Sequence, residues 1–161
     1  MASSPVVERL PAARLPLGEF LEVVARAPLV SIDLIVRDGG GRILLGLRRN
    51  APARGYWFVP GGCVYKNETL DHAYTRIVRD ELGLTAQRAN ARFLGVFEHL
   101  YDENAGDQAG FGTHYVVLPH ALPEGLTVTP PPEQHSEYRW LPVAALLNDP
   151  VVHEYTKAYF R

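Results

Sequence analysis

The sequence predicts an α/β fold of the α+β kind, one mixed sheet flanked by helices in a single domain. Three observations point there. Short apolar runs of strand length, bounded by Gly, Pro and Asp, recur between residues 29 and 141. A few segments of helical spacing interleave with them. The chain has 161 residues, 47% of them hydrophobic, enough for one sizeable core. No internal repeat and no second domain stands out.

Residues 1–15 read as a loose arm and 16–161 as the domain. Leu17 to Arg26 has helical spacing through Phe20, Val23 and Val24, and Pro28 ends it. Leu29 to Arg37 is a strand, and the turn Asp38-Gly39-Gly40-Gly41 leads into a second, Arg42 to Arg48. A loop with Pro52 and Gly55 precedes a short strand, Trp57 to Val59. After the Gly61-Gly62 pair, Thr69 or Asn67 caps a helix that Gly83 stops. Leu70, Ala73, Tyr74 and Ile77 would form its buried stripe. Ala91 to Leu100 and Thr113 to Leu118 read as strands joined by the polar Tyr101–Gly112 loop. Residues 121–136 hold a proline-rich loop. Tyr138 to Leu141 is a strand, Pro142 opens a short helix over Val143 to Leu147, and a last helix covers Val151 to Phe160.

Composition excludes several classes. The formal net charge is −2, so no basic footprint for nucleic acid stands out. Only Lys66 and Lys157 accompany a larger set of arginines. That suits phosphate recognition by a fixed guanidinium fork, and genomic base composition explains it as readily. Cys63 is the only cysteine, so no intrachain disulfide is possible. Charges and prolines interrupt the N-terminal segment where a signal peptide needs an apolar core. No run is long enough to span a bilayer. The expectation is a soluble cytoplasmic protein that does not engage membranes or nucleic acid.

The chemistry concentrates between Gly61 and Leu84. Glu68 follows Gly62 by six residues, Arg76 follows Glu68 by eight, and Glu81, Gly83 and Leu84 close the segment. The glycines let backbone approach a ligand. Carboxylates at helical spacing suit magnesium, which keeps waters and borrows phosphate oxygens. A single one of these carboxylates is as readily a solvated helix face; the whole spaced set is not.

This spacing resembles the Nudix box, G-x5-E-x7-R-E-u-x-E-E-x-G-u, where u is a bulky aliphatic residue. Gly62, Glu68, Arg76, Val78, Glu81, Gly83 and Leu84 match it. Ile77 stands where a glutamate is expected, and Asp80 replaces another. The resemblance implies a Nudix αβα sandwich. From about Leu17 to Phe160 the chain is similar to the GDP-mannose mannosyl hydrolases of that superfamily. The residues carrying this are 28–36, 44–62, the Glu98–Asp102 run, 113–118 and 132–141; the missing glutamate at Ile77 is shared. The resemblance implies hydrolysis of a nucleotide sugar, GDP-mannose or GDP-glucose, by water attack at sugar carbon 1 with inversion, releasing intact GDP. It also implies one magnesium, with manganese as substitute, on Gly61, Glu81 and Gln134; Asp80, a departure from the pattern, could restore a metal carboxylate and move the chemistry toward phosphorus. A homodimer follows from it too, with the apolar face of Leu17–Arg26 as a contact.

By the same resemblance His135 is the general base, a role its ordinary pKa of about 6.5 suits. Asp33 is a sugar-binding group and secondary base. It interrupts an apolar strand, so it needs a partner or a wet cavity unless the strand is an edge facing water. Arg48 points at the diphosphate, while its neighbour Arg49 faces solvent. Tyr115 donates to the leaving group, or simply packs in the sheet. Arg76 binds phosphate or orients the box glutamates, with Glu68 and Asp80 as partners. His99 and Tyr101 contact substrate, and His99 could instead be a satisfied strand histidine. Cys63 stands where that family carries an arginine; Arg54 is near enough in sequence to replace it. Two other readings compete: a pyrophosphohydrolase attacking phosphorus, which Ile77 opposes and Asp80 favours, and a binding module without turnover.

Overall fold

The computed structural model describes residues 12–131 and 137–161. The fold is a curled mixed sheet with a second small sheet and few helices. Helix α1 (Leu17–Arg26) precedes β1 (Leu29–Ile35), β2 (Ile43–Leu47), β3 (Trp57–Phe58) and β4 (Gly61–Cys63). Helix α2 (Leu70–Leu82) follows, then β5 (Arg92–Phe93), β6 (Phe97–Tyr101), β7 (Thr113–Val117) and β8 (His120–Ala121). Strand β9 (Tyr138–Leu141) and helices α3 (Val143–Asn148) and α4 (Glu154–Lys157) complete the chain.

The larger sheet runs β5-β8-β1-β7-β6, with β4 pairing β1; the smaller runs β3-β2-β9. Strand β1 is parallel to β7 over its first half and to β8 at its end, and antiparallel to β4. The sheets meet at the Asp38 turn. There Leu44 N–H donates to Val36 O, and the Asp38 carboxylate accepts from the Gly40 and Arg42 amides.

Alternation along β1 divides the interior. Ile32, Leu34 and Val36 pack with Leu44 against Ala73, Tyr74, Ile77, Val78 and Leu82 of α2. Ile35 belongs to the other core, with Ile43, Leu45, Trp57, Val59, Leu146 and Val152. Thr69 caps α2 by accepting from His72 N–H, and Gly83 ends it at φ 67°. A side chain at Gly83 would also meet Thr129 O at 2.5 Å.

Four expectations are corrected. Leu70 is exposed, because the stripe of α2 runs through Ala73, Tyr74, Ile77, Val78, Glu81 and Leu82. The run Ala91–Leu100 is two strands, broken at Leu94–Val96, where Gly95 takes φ 103°. The 121–136 loop follows a two-residue strand that reading the sequence missed. The last helix is shortened to Glu154–Lys157 and a 3-10 turn, Ala158–Phe160. No helix among the described residues is long and apolar enough to cross a membrane.

Candidate active site

Register builds the site. In the β1–β4 pair Asp33 faces Gly61 and Ser31 faces Cys63. In the β6–β7 pair His99 faces Tyr115. Directly opposed residues point to the same side of a sheet, and so do residues two apart. Ser31, Asp33, Gly61, Cys63, His99, Tyr101 and Tyr115 therefore share one face. They line a cavity of about 230 Å³, closed by Arg48, Arg49 and Asn50 from the loop after β2, by Phe58 of β3 and by Glu81 from α2. Asp33 lies on a central strand with partners on both sides, so the water-facing edge is ruled out.

Gly61 is needed there. The bonds Leu34 N–H to Pro60 O and Val64 N–H to Val30 O set the ladder phase. That phase leaves Asp33 and Gly61 as a close, non-hydrogen-bonded pair whose side chains crowd. A Cβ on Gly61 would collide with Asp33 Oδ1 and with Ile32 O.

Arg48 brings a guanidinium to the cavity. This group lies 5.2 Å from the Phe58 ring centre and is near enough to Tyr115 to favour the ionised phenol. Burial raises the Asp33 pKa to about 6, against a Tyr159 hydrogen bond and the Arg48 charge that lower it. Burial holds His99 near 4, helped by His153 and Arg48. Burial likewise pushes Tyr115 up to about 12 and Tyr101 upward. Near neutral pH His99 is a neutral imidazole, both tyrosines are intact donors, and Asp33 exchanges its proton close to the working range.

Cys63 is a poor nucleophile, because burial raises its thiol to about 11 against the charges of Arg48, Arg76 and Arg14. Arg14, just before α1, is close enough for its charge to reach Cys63. Arg54 instead pairs with Asp107 at 3.0 Å on the surface and is not among the cavity-lining residues.

The box segment separates structural from cavity-facing charge. Arg76 donates to both Glu68 oxygens, at 2.7 and 2.9 Å, and to Cys63 O at 2.7 Å, over the Tyr65 ring. Glu68 also accepts from Tyr65 N–H. Burial works to raise the Glu68 pKa, but Arg76 and the Tyr65 amide outweigh it and hold it low. Of the two roles open to Arg76, the geometry supports the one toward Glu68: its donors close the loop before α2, and it is absent from the cavity lining. Asp80 too is absent from the cavity lining. It sits at the helix surface paired with Arg79 at 2.9 Å, one step around the helix from Glu81. Ile77, one turn before Glu81, is 1% exposed in the core, 3.2 Å from where a Gly62 Cβ would stand.

What the cavity offers a cation is thus small. Glu81 is a buried carboxylate on its wall, and Gly61 and Asp33 line it as well. Among the described residues no three His, Cys, Asp or Glu side chains cluster to hold a metal. One or two protein oxygens fit magnesium, which keeps waters and takes phosphate oxygens from substrate; they do not form a closed protein cage.

Asp33, Arg48, His99, Tyr101, Tyr115, Gly61 and Glu81 are brought together as expected from the sequence. Gln134 and His135 lie outside the described residues. Arg49 is exposed, yet on the cavity rim. Reading the sequence missed Asn50, Phe58 and Tyr159. The last two act through packing that the larger pattern does not reveal; Tyr155 and Tyr159, four apart, were the one visible hint of a shared face.

Comparison with known proteins agrees with this architecture. A family model, the NUDIX domain, matches residues 27–161. The low-salt glycan biosynthesis protein Agl8 of Haloferax volcanii is 52% identical over 108 residues, 66% of this chain and 66% of that protein. An ADP-ribose pyrophosphatase of Methanocaldococcus jannaschii is 39% identical over 70 residues, 44% of this chain and 40% of that one. The matches thus span just under two thirds and two fifths of these relatives. In structure the chain resembles the MutT protein of Methanosarcina mazei, with TM-score 0.66 and 21% identity over 84% of this chain and 92% of that one. It also resembles a MutT hydrolase of Burkholderia pseudomallei, with TM-score 0.65 and 27% identity over 83% and 96%. With the family model covering most of its length, this chain belongs to the Nudix family of hydrolases.

Proposed function

We propose that this Nudix hydrolase cleaves GDP-mannose, and GDP-glucose, to GDP and free sugar by water attack at sugar carbon 1 with inversion. The observation that carries the reading is the division of labour on and around α2. The position where the box has a further glutamate holds Ile77 inside the core, and Asp80 pairs with Arg79 at the surface. Glu81 is left as the helix's cavity carboxylate. Attack at phosphorus commonly draws on several metals held by clustered carboxylates; among the described residues α2 brings one carboxylate, Glu81, to the cavity.

Attack at carbon asks less of the leaving end. When bound at Glu81 and the Gly61 carbonyl, magnesium supplies charge neutralisation for the departing diphosphate. Arg48 adds a guanidinium on the same side, and Tyr115 a phenolic donor. GDP is already a stable anion, so no separate acid is needed. Beside them Asp33, opposite Gly61 and with its pKa near 6, bonds the sugar and can take a proton from water. His135 is the principal base in this reading. A homodimer through Leu17 and Val23, both exposed on α1, belongs to it as well.

The similarity to Agl8 supports a nucleotide-sugar substrate. The similarity to an ADP-ribose pyrophosphatase supports the second reading, cleavage between phosphorus atoms. Phosphorus NMR of a GDP-mannose digest separates them. GDP as the nucleotide product supports attack at carbon; GMP with mannose 1-phosphate supports the alternative; no turnover leaves a binding module.

A further inference from the structure

Behind the cavity wall stands a residue that no part of the proposed chemistry uses. Tyr159 is not among the lining residues, yet its hydroxyl donates to Asp33 Oδ2 at 2.6 Å and lies 3.2 Å from His99 Nε2. A phenol has one proton. With Asp33 ionised and that proton given to it, the oxygen is left to accept, so His99 carries its proton on Nε2. Asp33 Oδ1, the other oxygen, packs on the Gly61 backbone. Both carboxylate oxygens are thereby fixed in place.

The turn that delivers this hydroxyl is held at several points. Trp57 N–H donates to Val151 O and His153 N–H to Trp57 O. The Tyr155 hydroxyl accepts from Leu100 N–H at 2.9 Å and donates to Leu100 O at 2.7 Å. It thus satisfies the outer edge of β6 as a neighbouring strand would. The Tyr155 ring stacks on His99 at 4.2 Å and 5°, and Phe97 meets the Tyr159 ring edge-on at 4.9 Å. These ring contacts ask only for an aromatic side chain; the hydroxyl is explained by Asp33 and His99.

We propose that Tyr159 is a positioning residue of the site, holding the Asp33 carboxylate in one orientation in the cavity and His99 in one tautomer. The kinetic part of this rests on the hydrolytic reading above; the tautomer does not.

The test compares Tyr159→Phe, Asp33→Asn and the double variant. Outer-layer hydrogen bonds of this sort are typically worth about 10–100-fold. Tyr159→Phe should lower kcat for GDP-mannose by about that factor while KM stays within about twofold, since the diphosphate contacts are untouched. The double variant should be little worse than Asp33→Asn alone, because the hydroxyl acts through the carboxylate. Unchanged kcat, or losses that multiply in full, would overturn the proposal. Nitrogen-15 NMR of the histidine rings reads the same claim without turnover. The unaltered protein should show His99 protonated at Nε2, and Tyr159→Phe should shift its ring nitrogens. A His99 protonated at Nδ1, or one indifferent to Tyr159→Phe, would also overturn it. If GDP-mannose is not hydrolysed but the NMR signature holds, the positioning role stands and the assigned reaction falls.

Discussion

Asp33 and His99 respond to pH in opposite senses, though they share the Tyr159 hydroxyl. Asp33 is raised from an ordinary 3.8 to about 6 by burial. Between those values the folded chain binds more protons than the unfolded one, so its contribution to stability is present at low pH and lost as pH rises through 6. His99 is lowered from 6.5 to about 4 by burial. There the unfolded chain takes the proton first, so stability is lost as pH falls from 6.5 toward 4. Asp33→Asn removes the first effect alone. In metal-free protein it should add roughly 1–3 kcal/mol at pH 7.5. The gain should vanish near pH 4, as urea denaturation at both values would show. Activity should fall sharply in the same variant, the trade expected where a site keeps a buried charge for chemistry. Glu81→Gln keeps the shape of the wall and removes its charge. Turnover should drop by about two orders of magnitude or more and the magnesium concentration for half-activation should rise, read by titrating magnesium. A fall in turnover with unaltered magnesium dependence would count against Glu81 as a ligand.

At the scale of the element, α2 and the loop before it are one unit. Arg76 closes that loop on Glu68 and Cys63 O, with side chains 19% and 6% exposed for the ion pair. Removing one partner of such a pair strands the other, so Arg76→Ala should cost about 3–5 kcal/mol. Chemical denaturation measures it. A loss below about 1 kcal/mol would mean that solvent replaces the guanidinium. Ile77→Glu restores the pattern of the box and should still harm the protein. The carboxylate would enter a packed core beneath Gly62, with an expected cost of roughly 2–4 kcal/mol. It should bring no gain in phosphorus cleavage. The element was well marked in the sequence: Thr69 and Gly83 gave its ends, and Ala73, Tyr74 and Ile77 its inner face. Its charged faces were harder. Arg76 and Glu81, five residues apart, stand about 140° from each other around the helix, and only packing decides which of those two directions sees the cavity. The β5–β6 break was hidden because Leu94 and Val96 continue the apolar run through Gly95. The shortened α4 was hidden because its neighbours Val151 and Val152 follow β3 instead of a helix.

For the whole molecule, the cavity exists because β1 serves both layers. One face meets α2 and the other presents Ser31 and Asp33 to Arg48, just after β2, and to Phe58 of β3. Alternation in β1 was readable, so Asp33 could be singled out. The β6–β7 register that sets His99 against Tyr115 was not, because the Tyr101–Gly112 loop fixes it through buried Asn104. That side chain accepts from the Gly106 and Gln108 amides and donates to Gln108 O and Phe111 O. Tyr159 lies 126 residues from the carboxylate it holds, beyond any local pattern. The central claim is that this arrangement directs water to carbon. Its most direct test is hydrolysis of GDP-mannose with magnesium in oxygen-18 water, with the products weighed by mass spectrometry. Label in free mannose beside unlabelled GDP is the predicted result. Label on a phosphate product, with GMP and mannose 1-phosphate, would contradict it.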